Sequence, residues 1–167
     1  MERTVILRNG KQCNVLLDTD SAAKTMTITG AAGKYFAVTY NRKRIHLHRF
    51  LMNAADGDII DHVNRNTCDN RLCNLRKVTK AQNAYNMGLV KTNTSGYIGV
   101  SYCNGKGRQK KPWTAGIKMN NKRIHIGSYA TREEAVLAYD MTCYNLRGDF
   151  AVMNNADNVF KNRMDLI

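Results

Sequence analysis

One proline, one tryptophan and an aromatic content of 8% leave little with which to build a large core. No run approaches the roughly 18 apolar residues of a transmembrane helix. The apolar stretch after Met1, from Val5 to Leu7, is too short for the hydrophobic part of a signal peptide. A cytoplasmic protein is therefore expected. Five cysteines, an odd number in a chain with no secretory signal, argue against a disulfide framework. Acidic residues are also scarce, 13 against 26 Lys and Arg, for a formal charge of +13. Up to Thr94 there are 15 basic and 7 acidic residues, and from Ser95 onward 11 and 6, so both halves are basic. A polyanionic partner is expected, bound with affinity that falls steeply with salt. No amphipathic helix has the basic face a membrane surface would need. No P-loop, Rossmann fingerprint or H-E-x-x-H occurs, and Gly105 and Gly107 read as turn residues.

What the chain does have is concentrated between residues 59 and 86. Ile59-Ile60 lead into Asp61-His62, and an Asn-rich loop follows. Leu75-Arg76 open a second short strand. Thr79 then stands three residues before Gln82, a capping-box spacing, so a helix carrying Asn83 is predicted. Strand, loop, strand and helix bring a carboxylate, an imidazole and an amide around one small space. That set suits metal-assisted phosphodiester hydrolysis. Asp61 and Asn83 would offer hard oxygen ligands to a divalent ion that keeps several waters, Mg2+ or Mn2+. His62 would take the proton of the attacking water.

This stretch resembles the HNH endonuclease motif, the ββα-metal site. Asp61-His62 match the pair that ends the first strand, Asn74 in Asn74-Leu75-Arg76 the middle asparagine, and Asn83 the helix position. The resemblance implies Asp61 and Asn83 as metal ligands, His62 as general base and Asn74 as a brace for the loop that carries the histidine. The helix asparagine, in place of histidine, is that of the phage homing-endonuclease branch. A His-Arg pair like His48-Arg49 also occurs in phage HNH proteins, and His48 could approach the scissile phosphate, although a structural histidine is an equal expectation. Some relatives hold structural zinc near Cys68 and Cys73. Here a further Cys or His pair at zinc spacing is missing, so small side chains packing a tight loop are the stronger expectation.

Before that motif, residues 3–47 read as β-rich: Thr4 to Leu7 and Asn14 to Leu17 flank the turn signal Asn9-Gly10. Thr25 to Thr29 and Tyr35 to Tyr40 alternate, with Gly30 and Gly33 between them. A hairpin turn is expected at Asn41 to Arg44, then a strand from Ile45, then a short helix from His48 to Met52 burying Phe50 and Leu51. Arg42, Lys43, Arg44 and Arg49 are candidates to track DNA phosphates, against the alternative of a solvated turn.

After the polar stretch Lys91 to Gly96 the pattern changes. Strands are predicted at Tyr97 to Tyr102, Trp113 to Met119 and Lys122 to Ile126, with polar residues from Asn104 to Lys111 and a tight loop at Asn120-Asn121. Thr131 and Glu134 form a second capping box. Ala135, Ala138, Tyr139, Thr142 and Leu146 then recur at helical spacing, and Gly148 ends the helix. Gly96-Tyr97-Ile98-Gly99-Val100, Trp113, Lys122-Arg123-Ile124-His125-Ile126-Gly127, Glu133-Glu134-Ala135 and Ala138-Tyr139-Asp140 resemble the AP2 DNA-binding domain, which lays its sheet in the major groove. Period-two geometry puts Ile117, Ile124 and Ile126 toward the helix, leaving Arg123, His125, Lys118 and Ser101 to face DNA.

The expected fold is α+β: an HNH nuclease domain over residues 1–90 with its ββα core at 59–86, a linker at 91–95, an AP2-like three-stranded antiparallel sheet plus one helix at 96–154, and a tail at 155–167. The expected function is a metal-dependent phage HNH endonuclease, homing or free-standing, acting as a monomer on double-stranded DNA with no membrane partner. A non-catalytic DNA-binding protein on a relict HNH fold and a structure-specific nickase are the alternatives.

Overall fold

Short alternating stretches punctuated by Gly and Asn form short strands, and the chain folds into several small antiparallel sheets with few helices. The computed structural model describes residues 1–6, 12–21, 23, 26–30, 35–105, 110–120 and 122–155. The Asn9-Gly10 turn, Gly33, Gly107, Asn121 and the tail after Asn155 lie outside the described residues. The chain divides into two compact units, Met1–Asn83 and Ala84–Ile167.

In the first unit β1 (Glu2–Ile6) pairs with β2 (Gln12–Leu16). A second sheet has the order β3 (Ile28–Gly30), β4 (Phe36–Tyr40), β5 (Lys43–His46). The turn between β4 and β5 is two residues, Asn41 and Arg42, with φ of 48° and 61°. Such a doubly left-handed turn matches the twist of the strands it joins. Lys43 and Arg44 therefore lie in β5 and not in the turn, because the turn needs only two residues. Helix α1 (Leu47–Leu51) starts one residue earlier than predicted, and its buried residues are Leu47 and His48. Phe50 and Leu51 are only half-buried. They pack on a core of Val5, Val15, Leu17, Ile28, Phe36, Val38 and Leu47. That core lies among the strands, and Cys68 of the following motif packs against it.

The motif itself is β6 (Ile59–His62) paired antiparallel with β7 (Leu75–Val78), followed by α2 (Lys80–Tyr85). Thr79 and Gln82 make the reciprocal cap of α2, Gln82 N–H to Thr79 Oγ1 at 3.2 Å and Thr79 N–H to Gln82 Oε1 at 2.8 Å.

In the second unit β9 (Trp113–Met119) lies between β8 (Val100–Tyr102) and β10 (Lys122–Tyr129). Helix α3 (Arg132–Arg147) covers one face. Thr131 and Glu134 form its capping box and Gly148, at φ 52°, its end. The core is Val100, Ala115, Ile117, Ala135, Val136, Tyr139 and Cys143. Leu146, the last residue of that helical recurrence, is exposed. Ile124 pairs with Ile117 on the helix-facing side, yet is 43% exposed. β10 is an edge strand with a register shift at Ile126, which itself packs against the core; strict alternation foresees neither the edge nor the shift. Gly99, at φ +73°, could not be replaced: a Cβ there would lie 2.0 Å from a Tyr139 ring carbon.

Candidate active site

The centre of the first unit is the end of β6. Asp61 and His62 are both buried, at 8% and 5% exposure, although both are polar. Buried polar groups need partners, and these have them. Asp61 stands opposite Arg76 in the β6–β7 ladder, and Arg76 Nη2 lies 3.0 Å from its Oδ2. His62 Nε2 lies 3.3 Å from Asn70 Oδ1.

The loop after His62 is held by its own asparagines and by β2. Asn74 Nδ2 donates to Asp69 O at 2.7 Å, and Asn74 Oδ1 accepts from Asn64 N–H at 2.9 Å. Asp69 accepts two bonds from the Arg71 guanidinium, at 2.8 and 2.7 Å, which holds its carboxyl below the usual range. Leu16 N–H donates to Cys68 O, and Asn70 N–H donates to Leu16 O. Leu72 N–H donates to Asp18 Oδ2 at 2.7 Å. The β-rich start of the chain is thus the platform on which the loop is laid.

Rings gather beside His62. His48 lies 5.3 Å away between centroids, Tyr35 4.8 Å from His48, and His46 5.6 Å from His48. Burial, then the charges of His62, His46 and Arg49, lower the His48 pKa from 6.5 to about 4. Arg49 donates to the carbonyls of Ala55 and Asp58, so its guanidinium braces the loop entering β6. Arg44 donates to Gly30 O, while Arg42 and Lys43 are exposed.

Asn83 is exposed on α2. Among the described residues no three His, Cys, Asp or Glu gather as a metal cage. A carboxylate and an amide oxygen, such as Asp61 and Asn83 carry, are donors of the kind that suits an ion retaining most of its water, such as Mg2+, rather than structural zinc. Cys68 does not face Cys73, which is exposed. Its Sγ lies 3.1 Å from that of Cys13, and burial lifts its pKa to about 11. The chain brings Cys13 there from 55 residues away, a pairing that no local spacing signals.

Sequence reasoning missed Asn70, Arg76, Tyr35 and His46. Arg76 alone carried a signal, since it follows the Asn-Leu pair and register places it across from Asp61.

In the second unit Ser101, Thr114, Lys118, Arg123 and His125 share the sheet face away from α3. Ser101 Oγ lies 2.9 Å from Thr114 Oγ1, and Arg123 pairs with Lys118 across the strands. Gly116 leaves room for Arg123 to lie over β9: a Cβ there would stand 3.3 Å from Arg123 Nε.

Residues 47–85 match the family model for HNH endonuclease. The chain is similar to an uncharacterized HNH endonuclease of Acanthamoeba polyphaga mimivirus, 29% identical over 73% of this chain and 64% of that protein's length. It is 29% identical to Protein 3.8 of Escherichia phage T7 over 71% of this chain and 96% of the relative. An AP2-like ethylene-responsive transcription factor of Arabidopsis thaliana is 35% identical over half of this chain and 27% of its own length. No solved structure matches significantly. No helix among the described residues is long and apolar enough to cross a membrane. Residues 47–85 are thus the part of the chain similar to HNH endonucleases, and the chain spans 64% of the length of the mimivirus relative.

Proposed function

We propose that the chain is a metal-dependent phage-type endonuclease, homing or free-standing, that hydrolyses phosphodiester bonds of double-stranded DNA. The observation that supports this most is the pair Asp61-His62 at the end of β6 with Asn74 bonded beneath the following loop, inside the segment similar to HNH endonucleases. His62 takes the proton of the attacking water. Asn74 keeps the loop, and so the histidine, in place. Asp61 and Asn83 would hold a divalent cation, which when bound stabilises charge on the phosphate and on the leaving oxygen. Attack on phosphorus with loss of the 3′ oxygen leaves 5′-phosphate and 3′-hydroxyl ends.

Residues 96–154 act in this reading as an AP2-like reader joined through a linker at 91–95, with Arg123, His125, Lys118 and Ser101 toward the major groove. The outward polar face of the sheet and the similarity to the Arabidopsis protein support it. Arg42, Lys43 and Arg44 serve phosphates, as does the net charge of +13. The chain works as a monomer in the cytoplasm of a virus-infected host, the setting of its viral relatives. The test is incubation with the genome of the phage that encodes it, plus Mg2+ or Mn2+, with ends mapped at nucleotide resolution. Mapped ends that need the metal are expected. Full cutting in excess EDTA would refute metal dependence, and salt-dependent binding with no cutting would favour a relict, non-catalytic fold.

A further inference from the structure

Cys13 and Cys68 are 55 residues apart in the chain and 3.1 Å apart in space, Sγ to Sγ. Both are free thiols, and both are half-buried, so a small solute can reach them. Their backbones are held in place independently of the sulfurs. Cys13 lies in β2, opposite Val5 of β1. Cys68 O accepts from Leu16 N–H at 2.8 Å, Asn70 N–H donates to Leu16 O at 2.9 Å, and Leu16 forms a parallel bridge with Asp69. Cys68 N–H donates to Asn66 Oδ1 at 3.0 Å. Both side chains pack against the apolar core of the first unit. Two fixed stretches of backbone therefore aim the thiols at each other.

We propose that Cys13 and Cys68 are a site of reversible oxidation, at which a peroxide converts the two thiols into a disulfide that staples the loop after Asp61-His62 to β2. Closing it takes the sulfurs from 3.1 Å to about 2.05 Å. One sulfur attacks a peroxide oxygen, the O–O bond breaks, and a sulfenic acid forms as the first water leaves. The second sulfur attacks the first and expels its hydroxyl as the second water. Two thiols and one hydrogen peroxide thus give one disulfide and two waters, the sulfurs losing the two electrons that the peroxide gains. A dithiol reductant reverses the change by two thiol–disulfide exchanges. The staple restricts the unfolded chain over a long loop and asks little of the folded one, so the oxidised protein is the more stable. None of this depends on the role of His62.

The test treats the full chain with hydrogen peroxide, caps the remaining thiols with N-ethylmaleimide and maps unreduced peptides by mass spectrometry. A peptide joining Cys13 to Cys68 is expected, lighter by about 2 Da than its two parts together. It should come from chains that run as monomers on a non-reducing gel, and dithiothreitol should remove it. The oxidised chain should melt about 10 °C above the reduced one. Cys13→Ser and Cys68→Ser should each lose the linked peptide and the rise in melting temperature, whereas Cys73→Ser should keep both. A wild-type chain in which Cys13 and Cys68 are still capped after the exposed Cys73 has been oxidised overturns the proposal and needs no variant to fold. Cys13 and Cys68 oxidised to sulfinic acids without a link, or a link from either to Cys73, overturns it equally.

Discussion

Asp61 and Arg76 face each other across the β6–β7 ladder, and the guanidinium grips one carboxylate oxygen, Nε at 3.1 Å and Nη2 at 3.0 Å. A cation arriving at Asp61 meets a carboxylate that already has a cationic neighbour. Arg76→Ala should remove that competitor. Taking the guanidinium from a buried carboxylate should cost the metal-free protein about 3–5 kcal/mol. Mg2+ should then raise the melting temperature of the variant more than that of the wild type, because binding stabilises only the folded state. Thermal unfolding with and without Mg2+ measures this. Equal shifts in both proteins would mean that Arg76 does not oppose the ion.

His48 gives the first unit a dependence on acid. It is buried against His62, His46 and Tyr35, with Arg49 next in the chain, and its pKa falls from 6.5 to about 4. Between those values the unfolded chain binds a proton that the folded chain refuses, so stability rises with pH across this window. The contribution of a neutral His48 is complete above about pH 6.5 and is lost as pH falls through 4, a total of about 3 kcal/mol. Urea unfolding at pH 7.5 and pH 4.5 should show a smaller loss for His48→Leu than for wild type. The same loss in both proteins would assign the acid sensitivity to other groups.

The sheet of the second unit carries two cations side by side, and they should behave differently. Arg123 is laid across Gly116, which suits a fixed fork aimed at a guanine edge. Arg123→Ala should cost about 1–3 kcal/mol and relax preference at one base pair. Lys118→Ala should weaken all sequences alike and lower the salt slope by about one. Binding to a randomised site library across a salt series separates them. Uniform weakening by Arg123→Ala would make that residue a phosphate contact.

What could be read ahead of the structure was what local chemistry dictates. Thr79 with Gln82 and Thr131 with Glu134 mark helix starts because a cap is a contact over three residues, and both caps form. Asp61 and His62 do end a strand. The misses have non-local causes. Ile124 follows the alternation but sits on an edge strand beside a bulge, so pattern alone overstates its burial. Lys43 and Arg44 look like turn residues, yet Asn41 and Arg42 accept left-handed backbone and complete the turn without them. Asn70 was lost among Asn64, Asn66 and Asn74 in one loop. Its contact with the His62 ring and the bond from its backbone to Leu16, far back in the chain, distinguish it.

The central claim is that His62 acts as the base beside a cation held by Asp61 and Asn83. Single-turnover cleavage by wild type and His62→Ala, at saturating Mg2+ and with DNA binding measured in parallel, tests it most directly. His62→Ala should cut about 10² to 10⁴ times more slowly. Its affinity for DNA should be nearly unchanged, since binding rests on basic residues spread over both units. A His62→Ala protein that cuts at the wild-type rate would contradict the account.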